Sequence, residues 1–291
     1  MPRLTADQLA SRRQGLGSSD IPELLGLAPW ENASPLRLFA EKRGMLPDDG
    51  NDESLEQRVG HALEPALIQL YESESGFRVV PQTETVVHRV HPWARATIDG
   101  RIVDKSAALE IKVVGIGMAR GWDLRADDGI PHYVRSQVAW QMAVEELDEV
   151  HVAALVLGTQ FRVFYVQRDH ELEAAIWKQA AAFWDRVQNN QPPDLDATDT
   201  TKKYLAAKYP AAPPDVSVEA TGDIVGVGVR RAGQAESARA AEDDKVLCDA
   251  RIMQAMGEAG ASEMWCKEWR ATWRQAKSGK RTYRFTPRAA T

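Results

Sequence analysis

The apolar residues of this chain follow two periods, which predict an alternation of helices and strands. Helical spacing over 54–76 is carried by Val59, Leu63 and Leu67, and Gly76 marks the stop. Alternation with a period of two, together with short apolar runs, predicts strands at 77–90, 94–103, 107–114, 150–158 and 161–168, and further helices at about 132–146 and 170–189. The order α-βββ-α-β-β-α predicts an α/β (α+β) fold, in which a central mixed sheet is flanked by helices.

A change of texture near residue 215 predicts two parts. The Pro-rich stretches "NQPPDLD" and "PAAPPD" precede it, and from Ser217 a polar, Ala-rich segment leads into a Trp-rich basic hairpin. We expect a main domain over 1–215 and a C-terminal helix-plus-hairpin appendage over 216–291.

Composition indicates a globular protein, because 44% of its 291 residues are hydrophobic. No segment approaches a membrane span, and the N-terminus is too polar for a secretory signal, so a cytoplasmic location is expected. The only cysteines, Cys248 and Cys266, lack a metal-binding spacing. Any metal would therefore be a hard ion held by oxygen.

Charge is distributed unevenly along the chain, whose net charge is −6. The segment from Lys267 to Arg288 carries eight basic residues and one acid, Glu268, and the tryptophans Trp265, Trp269 and Trp273 are spaced by four. That spacing fits one face of a strand or helix, and the turn "KSGK" favours a hairpin. Two interpretations stay open: contact with a DNA backbone and unpaired bases, or a small packing module.

The segment "RATIDGRIVDKSAALEIKV" places Asp99, Glu110 and Lys112 in two strands joined by a polar turn. Glu110 and Lys112 share one face of their strand, since residues two apart point the same way. One interpretation is a solvated face with a Glu–Lys pair. The other is a site, because buried charges are costly unless they are paired or bind a metal.

Together with Glu64 on the helix 54–76, these residues form an arrangement that recurs in nucleases. Three carboxylates, Glu64, Asp99 and Glu110, can hold one or two Mg²⁺ ions, which polarise a phosphodiester and activate a water. Lys112 would add positive charge where negative charge develops. On the helix 132–146, Tyr133, Gln137 and Gln141 share one face, which can be a wall of this site or simply a solvated surface.

Six segments in order resemble the lambda exonuclease or YqaJ-type viral recombinase family of PD-(D/E)XK nucleases. They cover about residues 11–190 and read "GLGSSDIPELLGLAPWENASPLRLFAEKRG", "GHALEPALIQLYESESG", "ATIDGRIV", "LEIK", "IPHYVRSQVAWQMAV" and "FRVFYVQRDHELEAAI". The resemblance implies a restriction-endonuclease-like core. Two departures are Ile98, where the family usually has proline, and Ala139, where a second glutamine is common.

The resemblance also implies roles for particular residues. Glu64, Asp99, Glu110 and the backbone carbonyl of Ile111 would be metal ligands, Lys112 the catalytic lysine and Gln137 a residue that supports the site. The terminal phosphate of the cut strand would be held by Ser19 with Arg12 or Arg13. Mg²⁺ would be the cofactor, one or two ions per site, with Mn²⁺ able to substitute.

The function implied is a phage- or prophage-encoded exonuclease that degrades one strand of linear double-stranded DNA and leaves single-stranded DNA for recombination. The 5′-to-3′ polarity, a trimeric ring around DNA and a single-strand-annealing partner rest on the resemblance alone. An endonuclease with the same site is the alternative. A non-catalytic DNA-binding or assembly protein is disfavoured by the intact Asp99, Glu110 and Lys112 set.

Overall fold

The computed structural model describes residues 12–46, 54–82, 84–209, 217–275 and 281–288. It divides into two compact units, Met1–Ala211 and Ala212–Thr291. The helices of the first unit are α1 (Ile21–Leu24), α2 (Pro35–Lys42), α3 (Leu55–Ser75), α4 (His132–Glu145), α5 (His170–Gln188) and α6 (Asp199–Lys208). Its strands are β1 (Val79–Pro81), β2 (Val86–Val87), β3 (Arg95–Ala96), β4 (Gly100–Ile102), β5 (Ala107–Val114), β6 (Glu149–Val156) and β7 (Gln160–Gln167).

The ends of the long helices follow from local signals in the sequence. Ser54 and Gln57 form a reciprocal capping box at the start of α3, and Gly76 ends this helix with φ of 73°. Asp169 caps α5 by accepting hydrogen bonds from the backbone N–H groups of Glu171 and Leu172. The predictions of helices at 54–76, 132–146 and 170–189 are confirmed within one or two residues.

A five-stranded mixed sheet forms the centre of the first unit, in the order β1-β4-β5-β6-β7. β5 and β6 are parallel and are connected through α4, whereas the other pairs are antiparallel. On one face of β5, Leu109 packs with Ile68 and Tyr71 of α3. On the other face, Ala108 packs in a cluster with Val138 and Met142 of α4. Glu110 and Lys112 share the face of Ala108, and their side chains therefore point toward α4.

The predicted strands 77–90 and 94–103 are wrong as continuous elements. Each is divided into two short strands that belong to different sheets: β1 pairs with β4 in the central sheet, and β2 pairs with β3 in a separate ribbon. β1 and β4 approach closely, since a Cβ at Gly100 would lie 2.4 Å from Cγ1 of Val79. Such pairing between distant segments is not contained in the local alternation from which the strands were predicted.

The second unit consists of helix α7 (Asp223–Glu258) and the strands β8 (Glu263–Trp265), β9 (Trp269–Gln275) and β10 (Arg281–Pro287). The strands form an antiparallel sheet in the order β10-β9-β8. The turn "KSGK" lies outside the described residues. Across the part of the chain that the structure describes, no helix has the length and apolar character needed to span a bilayer.

Candidate active site

The carboxylate of Glu110 is the centre of a buried hydrogen-bond network between β5 and α4. Its side chain is almost inaccessible to solvent, at 4% exposed. Oε1 accepts hydrogen bonds from Nζ of Lys112 at 2.6 Å and from Nε2 of Gln137 at 2.7 Å, and Oε2 accepts one from Nε2 of Gln141 at 2.6 Å. Lys112 also donates to Oε1 of Gln137 at 2.9 Å. The alternative of a solvated Glu–Lys face is therefore wrong.

Asp99 lies beside this network at the junction of β3 and β4. Its Oδ2 accepts a hydrogen bond from the backbone N–H of Ile111 at 2.6 Å. The carbonyl of a strand residue points to the same edge as its N–H, so the Ile111 carbonyl is directed toward the Asp99 side of β5. The pairing of β4 with β5 extends only to Gly100 and Leu109. At Ile111, the edge of β5 therefore faces the side chain of Asp99 instead of a strand.

Glu64 on α3 contributes a third carboxylate to the same region. Partial burial raises the pKa of Glu64, and the charge of Glu110 raises it further, although His61 acts in the opposite direction. Burial also raises the pKa of Asp99 well above its usual value, with further upward contributions from Glu110 and Glu64. The charges of Glu64 and Glu110 thus both disfavour the ionised form of Asp99.

Lys112 is the basic residue beside Glu64, Asp99 and Glu110, and we call these four residues the carboxylate cluster. Although burial lowers the pKa of Lys112, the carboxylates of Glu110 and Asp99 outweigh that effect and raise the pKa above its ordinary value. The side chain is therefore an ammonium at neutral pH, which donates hydrogen bonds and carries positive charge but does not accept a proton. Lys112 is thus the ammonium that faces the carboxyl groups of Glu110 and Asp99.

The donor chemistry of the cluster suits a divalent cation, because Mg²⁺ prefers carboxylate and carbonyl oxygens. Among the described residues, however, no three His, Cys, Asp or Glu side chains stand close enough together to form a ready-made metal site. Both oxygens of Glu110 are engaged by Lys112, Gln137 and Gln141. Binding of an ion to Glu64, Asp99 and Glu110 would therefore require these carboxylates to move toward one another and some donors to be exchanged.

A polar pocket of about 140 Å³ lies next to this cluster. Its lining includes Arg12, Ser19, Lys42 and Thr97. Nζ of Lys42 is buried, where it donates to Asp20 Oδ2 at 2.5 Å and to the carbonyl of Arg12 at 3.0 Å. Thr97 connects the two sites, since its carbonyl accepts from Gln141 at 3.0 Å, and it lies two residues before Asp99.

The structure separates the two arginines proposed for the terminal phosphate. Arg12 lines the pocket with Ser19, whereas the guanidinium of Arg13 lies beside Gly44. Ser19 is exposed in a 3₁₀ turn, Ser18–Asp20, that precedes the four-residue helix α1. The carboxylate that accepts the backbone N–H of Gly17 at this turn belongs to Asp20. The predicted helix start is thus too short to hold an anion by its dipole, and the pocket depends on side chains.

Comparisons with known proteins show what the chain is similar to. Residues 7–148 match the model of the YqaJ-like viral recombinase domain. This part of the chain is similar to that domain. The protein YqaJ of Bacillus subtilis (strain 168) is 29% identical over 216 residues, which cover 73% of this chain and 66% of that protein. The chain thus spans just under two thirds of its curated relative.

Solved structures extend the likeness to the fold. An alkaline exonuclease from Laribacter hongkongensis, LHK-Exo, matches with a TM-score of 0.51 and 19% identity, over 70% of this chain and 99% of that one. LHK-Exo in complex with dAMP matches with a TM-score of 0.52 and 19% identity, over 70% of this chain and 97% of that one. The first unit therefore has the PD-(D/E)XK-like fold predicted for it, and the residues that match the YqaJ-like model include Glu64, Asp99, Glu110 and Lys112.

Gln141 is the residue of this site that the sequence left undecided. Its side chain is fully buried and its Nε2 donates to both Glu110 and the carbonyl of Thr97. In the sequence, the only indication of a role for Gln141 was its position on one helix face with Tyr133 and Gln137. This spacing could not identify Gln141 as a site residue, because a glutamine that faces solvent has the same spacing as one that faces a buried carboxylate.

We expect Gln141→Ala to lower cleavage about tenfold and to destabilise the domain by about 1–3 kcal/mol, because Glu110 would lose one donor to a buried oxygen. Cleavage rates of DNA and chemical unfolding curves would measure the two effects. Gln179→Ala, which removes an exposed glutamine of α5, is the matched control. Equal behaviour of the two variants would show that Gln141 does not position Glu110.

Proposed function

We propose that this protein is a Mg²⁺-dependent DNA exonuclease that degrades one strand of linear double-stranded DNA from its end. The observation that carries the proposal is the buried Glu110, held by Lys112, Gln137 and Gln141 beside Asp99 and Glu64, within a YqaJ-like domain. The alkaline exonuclease LHK-Exo, whose fold is similar, supports the same reaction class.

Each residue of the cluster has a chemical role in this proposal. Glu64, Asp99, Glu110 and the carbonyl of Ile111 would hold the metal, which when bound polarises the phosphodiester and activates water. The ammonium of Lys112 would donate a hydrogen bond to the attacking water or to the phosphate, where negative charge grows. Gln137 would hold both Lys112 and Glu110 in place, since it bonds each of them. Mn²⁺ should substitute for Mg²⁺, because both accept oxygen ligands.

The biological setting is proposed from the family. The product would be single-stranded DNA for phage-type recombination, formed with 5′-to-3′ polarity by a homo-oligomer, a trimeric ring around the duplex. A single-strand-annealing protein would take up the product.

Digestion of linear duplexes labelled at the 5′ or the 3′ end tests the reaction. Early release of labelled mononucleotide from 5′ ends, in Mg²⁺ only, is the expected result. A covalently closed circular duplex should stay intact. Linearisation of that circle would favour an endonuclease instead, and no cleavage of any DNA would refute the proposal.

We also expect a 5′-phosphate to speed digestion, because Arg12 and Ser19 line the pocket beside the carboxylate cluster. Arg12→Ala should remove most of the difference between 5′-phosphorylated and 5′-hydroxyl duplexes, an effect of about tenfold for loss of a charge-assisted hydrogen bond. Arg13→Ala, which removes the neighbouring guanidinium beside Gly44, is the control and should keep the preference. Initial rates on the two duplexes measure it, and a preference that survives Arg12→Ala would exclude this pocket as the phosphate site.

A further inference from the structure

The sheet of the second unit has two faces of different chemistry. On one face, Ala271 is fully buried and Trp273 lies beside Gly257 of α7. The hydroxyl of Tyr283, which pairs with Trp273, donates to Oδ1 of Asp249 on α7 at 3.0 Å. Trp269 shares this face, because it lies two residues before Ala271. Trp269 and Trp273 are therefore packing residues of the second unit, as one of the two interpretations predicted.

The opposite face carries the side chains that alternate with these. It consists of three arginines and three threonines of β9 and β10 with one tryptophan of β8, and we call it the arginine–threonine face: Arg270, Thr272, Arg274, Thr282, Arg284, Thr286 and Trp265. Each arginine stands opposite a threonine, in the pairs Arg270–Thr286, Thr272–Arg284 and Arg274–Thr282. Trp265 belongs here because it pairs with Arg270. The prediction that all three tryptophans share one face is wrong for Trp265.

Positive charge on the arginine–threonine face exceeds the negative charge. Glu263 accepts hydrogen bonds from Arg270 at 2.8 Å and from Arg274 at 2.9 Å, and the bond from Arg270 is the main reason that its pKa is lowered. Arg284 also lies on this face, and the guanidinium of Arg288 lies 5.5 Å from the ring centre of Trp265. Glu263 thus stands among four exposed guanidinium groups, and the only other carboxylate described beside them is that of Glu268, whose backbone carbonyl accepts from the N–H of Arg288.

The combination of groups points to a particular kind of partner. Guanidinium and hydroxyl groups are among the side-chain groups that donate hydrogen bonds to phosphate oxygens. Because arginine and threonine alternate along β9 and β10, such donors are present on both strands. Trp265 is 65% exposed, and an exposed indole beside basic groups is a platform on which an unpaired base stacks. An acidic protein surface would use the charges but would gain little from this ring.

We propose that the arginine–threonine face binds single-stranded DNA, with its arginines and threonines on the phosphates and Trp265 against a base. This site lies outside the YqaJ-like domain, and the proposal does not depend on whether that domain cleaves DNA. It gives the second unit a role in holding a DNA strand.

Binding of a fluorescent oligothymidine to the full-length chain, measured in EDTA at several salt concentrations, tests the phosphate contacts. Arg284→Gln should weaken binding and reduce the slope of log affinity against log salt by about 0.7, the value for one lost contact with a single strand. Arg281→Gln removes an equal charge from the same strand, but Arg281 lies over Trp273 on the other face, so its slope should match that of the wild type. Equal slopes for all three proteins would overturn the proposal.

Trp265→Leu tests the stacking contact separately. It should weaken oligothymidine binding about fivefold or more, while Trp265→Phe should restore part of the loss because a ring remains. Far-ultraviolet circular dichroism checks that the sheet is retained. Two results would overturn the assignment: an unchanged affinity for oligothymidine in Trp265→Leu, or an equal loss of affinity for oligothymidine and for a poly-glutamate peptide in that variant.

The same protein preparations, assayed with Mg²⁺ on a linear duplex, report the nuclease activity independently. Either proposal can therefore fail without the other.

Discussion

Replacement of Lys112 by alanine is expected to lower the rate of phosphodiester cleavage by at least a factor of about one hundred. The ammonium is held by Glu110 and Gln137 at 2.6 and 2.9 Å, and it is the cation of the carboxylate cluster. Loss of a charged contact that forms in the transition state costs about 3 kcal/mol or more. Single-turnover cleavage of a linear duplex at saturating Mg²⁺ would measure the effect on the chemical step.

The control for this experiment is Lys105→Ala on the same β4–β5 hairpin. Lys105 also pairs with a glutamate, Glu149, at 2.7 Å, but its partner lies outside the carboxylate cluster. It should cleave at close to the wild-type rate. Lys112→Ala should keep the fold, because Glu110 retains its hydrogen bonds from Gln137 and Gln141. Near-wild-type cleavage by folded Lys112→Ala would show that the assigned site is wrong.

Glu110→Gln should abolish cleavage to a similar extent. The substitution keeps the size of the side chain and removes the negative charge that both Lys112 and a bound metal would require. Comparison of Glu110→Gln with Lys112→Ala separates the two charges, because only the first should also weaken metal binding strongly. Isothermal titration with Mn²⁺ in the absence of DNA would measure that difference.

The parts of this site that could be predicted from sequence are those whose position follows from regular structure. The period of two on β5 places Glu110 and Lys112 on one face, and the polar turn before it brings Asp99 alongside. The i, i+4 spacing on α4 likewise places Gln137 and Gln141 together. These relations hold within one element or between adjacent ones, so the sequence contains them.

What could not be predicted depends on partners that are distant in the chain. The burial of Gln141 results from the packing of α4 on β5, and the division of the strand 94–103 results from pairing with β1 and β2. The assignment of Trp265 to one face and Trp273 to the other requires the strand register of the second unit. The spacing of four residues does not show that a turn separates Trp265 from Trp269. For that reason it wrongly predicted that all three tryptophans share one face.

The second large effect expected is loss of all cleavage on removal of divalent metal, together with a stability effect that does not need DNA. The charges of Glu64 and Glu110 oppose ionisation of Asp99, and the charge of Glu110 opposes ionisation of Glu64. A divalent cation that binds the folded state should relieve this repulsion and stabilise it. At a concentration of about 100 times its Kd the gain is about 2.7 kcal/mol, or a rise in Tm of roughly 5–10 °C for a domain of this size.

Thermal unfolding in EDTA and in Mg²⁺ would measure this shift, with Asp99→Asn as the test variant. Asp99→Asn removes one ligand charge and should lose most of the rise in Tm that Mg²⁺ produces, while in EDTA it should be at least as stable as the wild type because repulsion is reduced. Asp104→Asn is the matched control, since Asp104 is exposed in the turn of the same hairpin with φ of 63°, a conformation that asparagine also accepts. It should keep the full response to Mg²⁺. A wild-type protein whose Tm is indifferent to Mg²⁺ and Mn²⁺, yet which cleaves DNA in EDTA, would show that the carboxylates act without a metal.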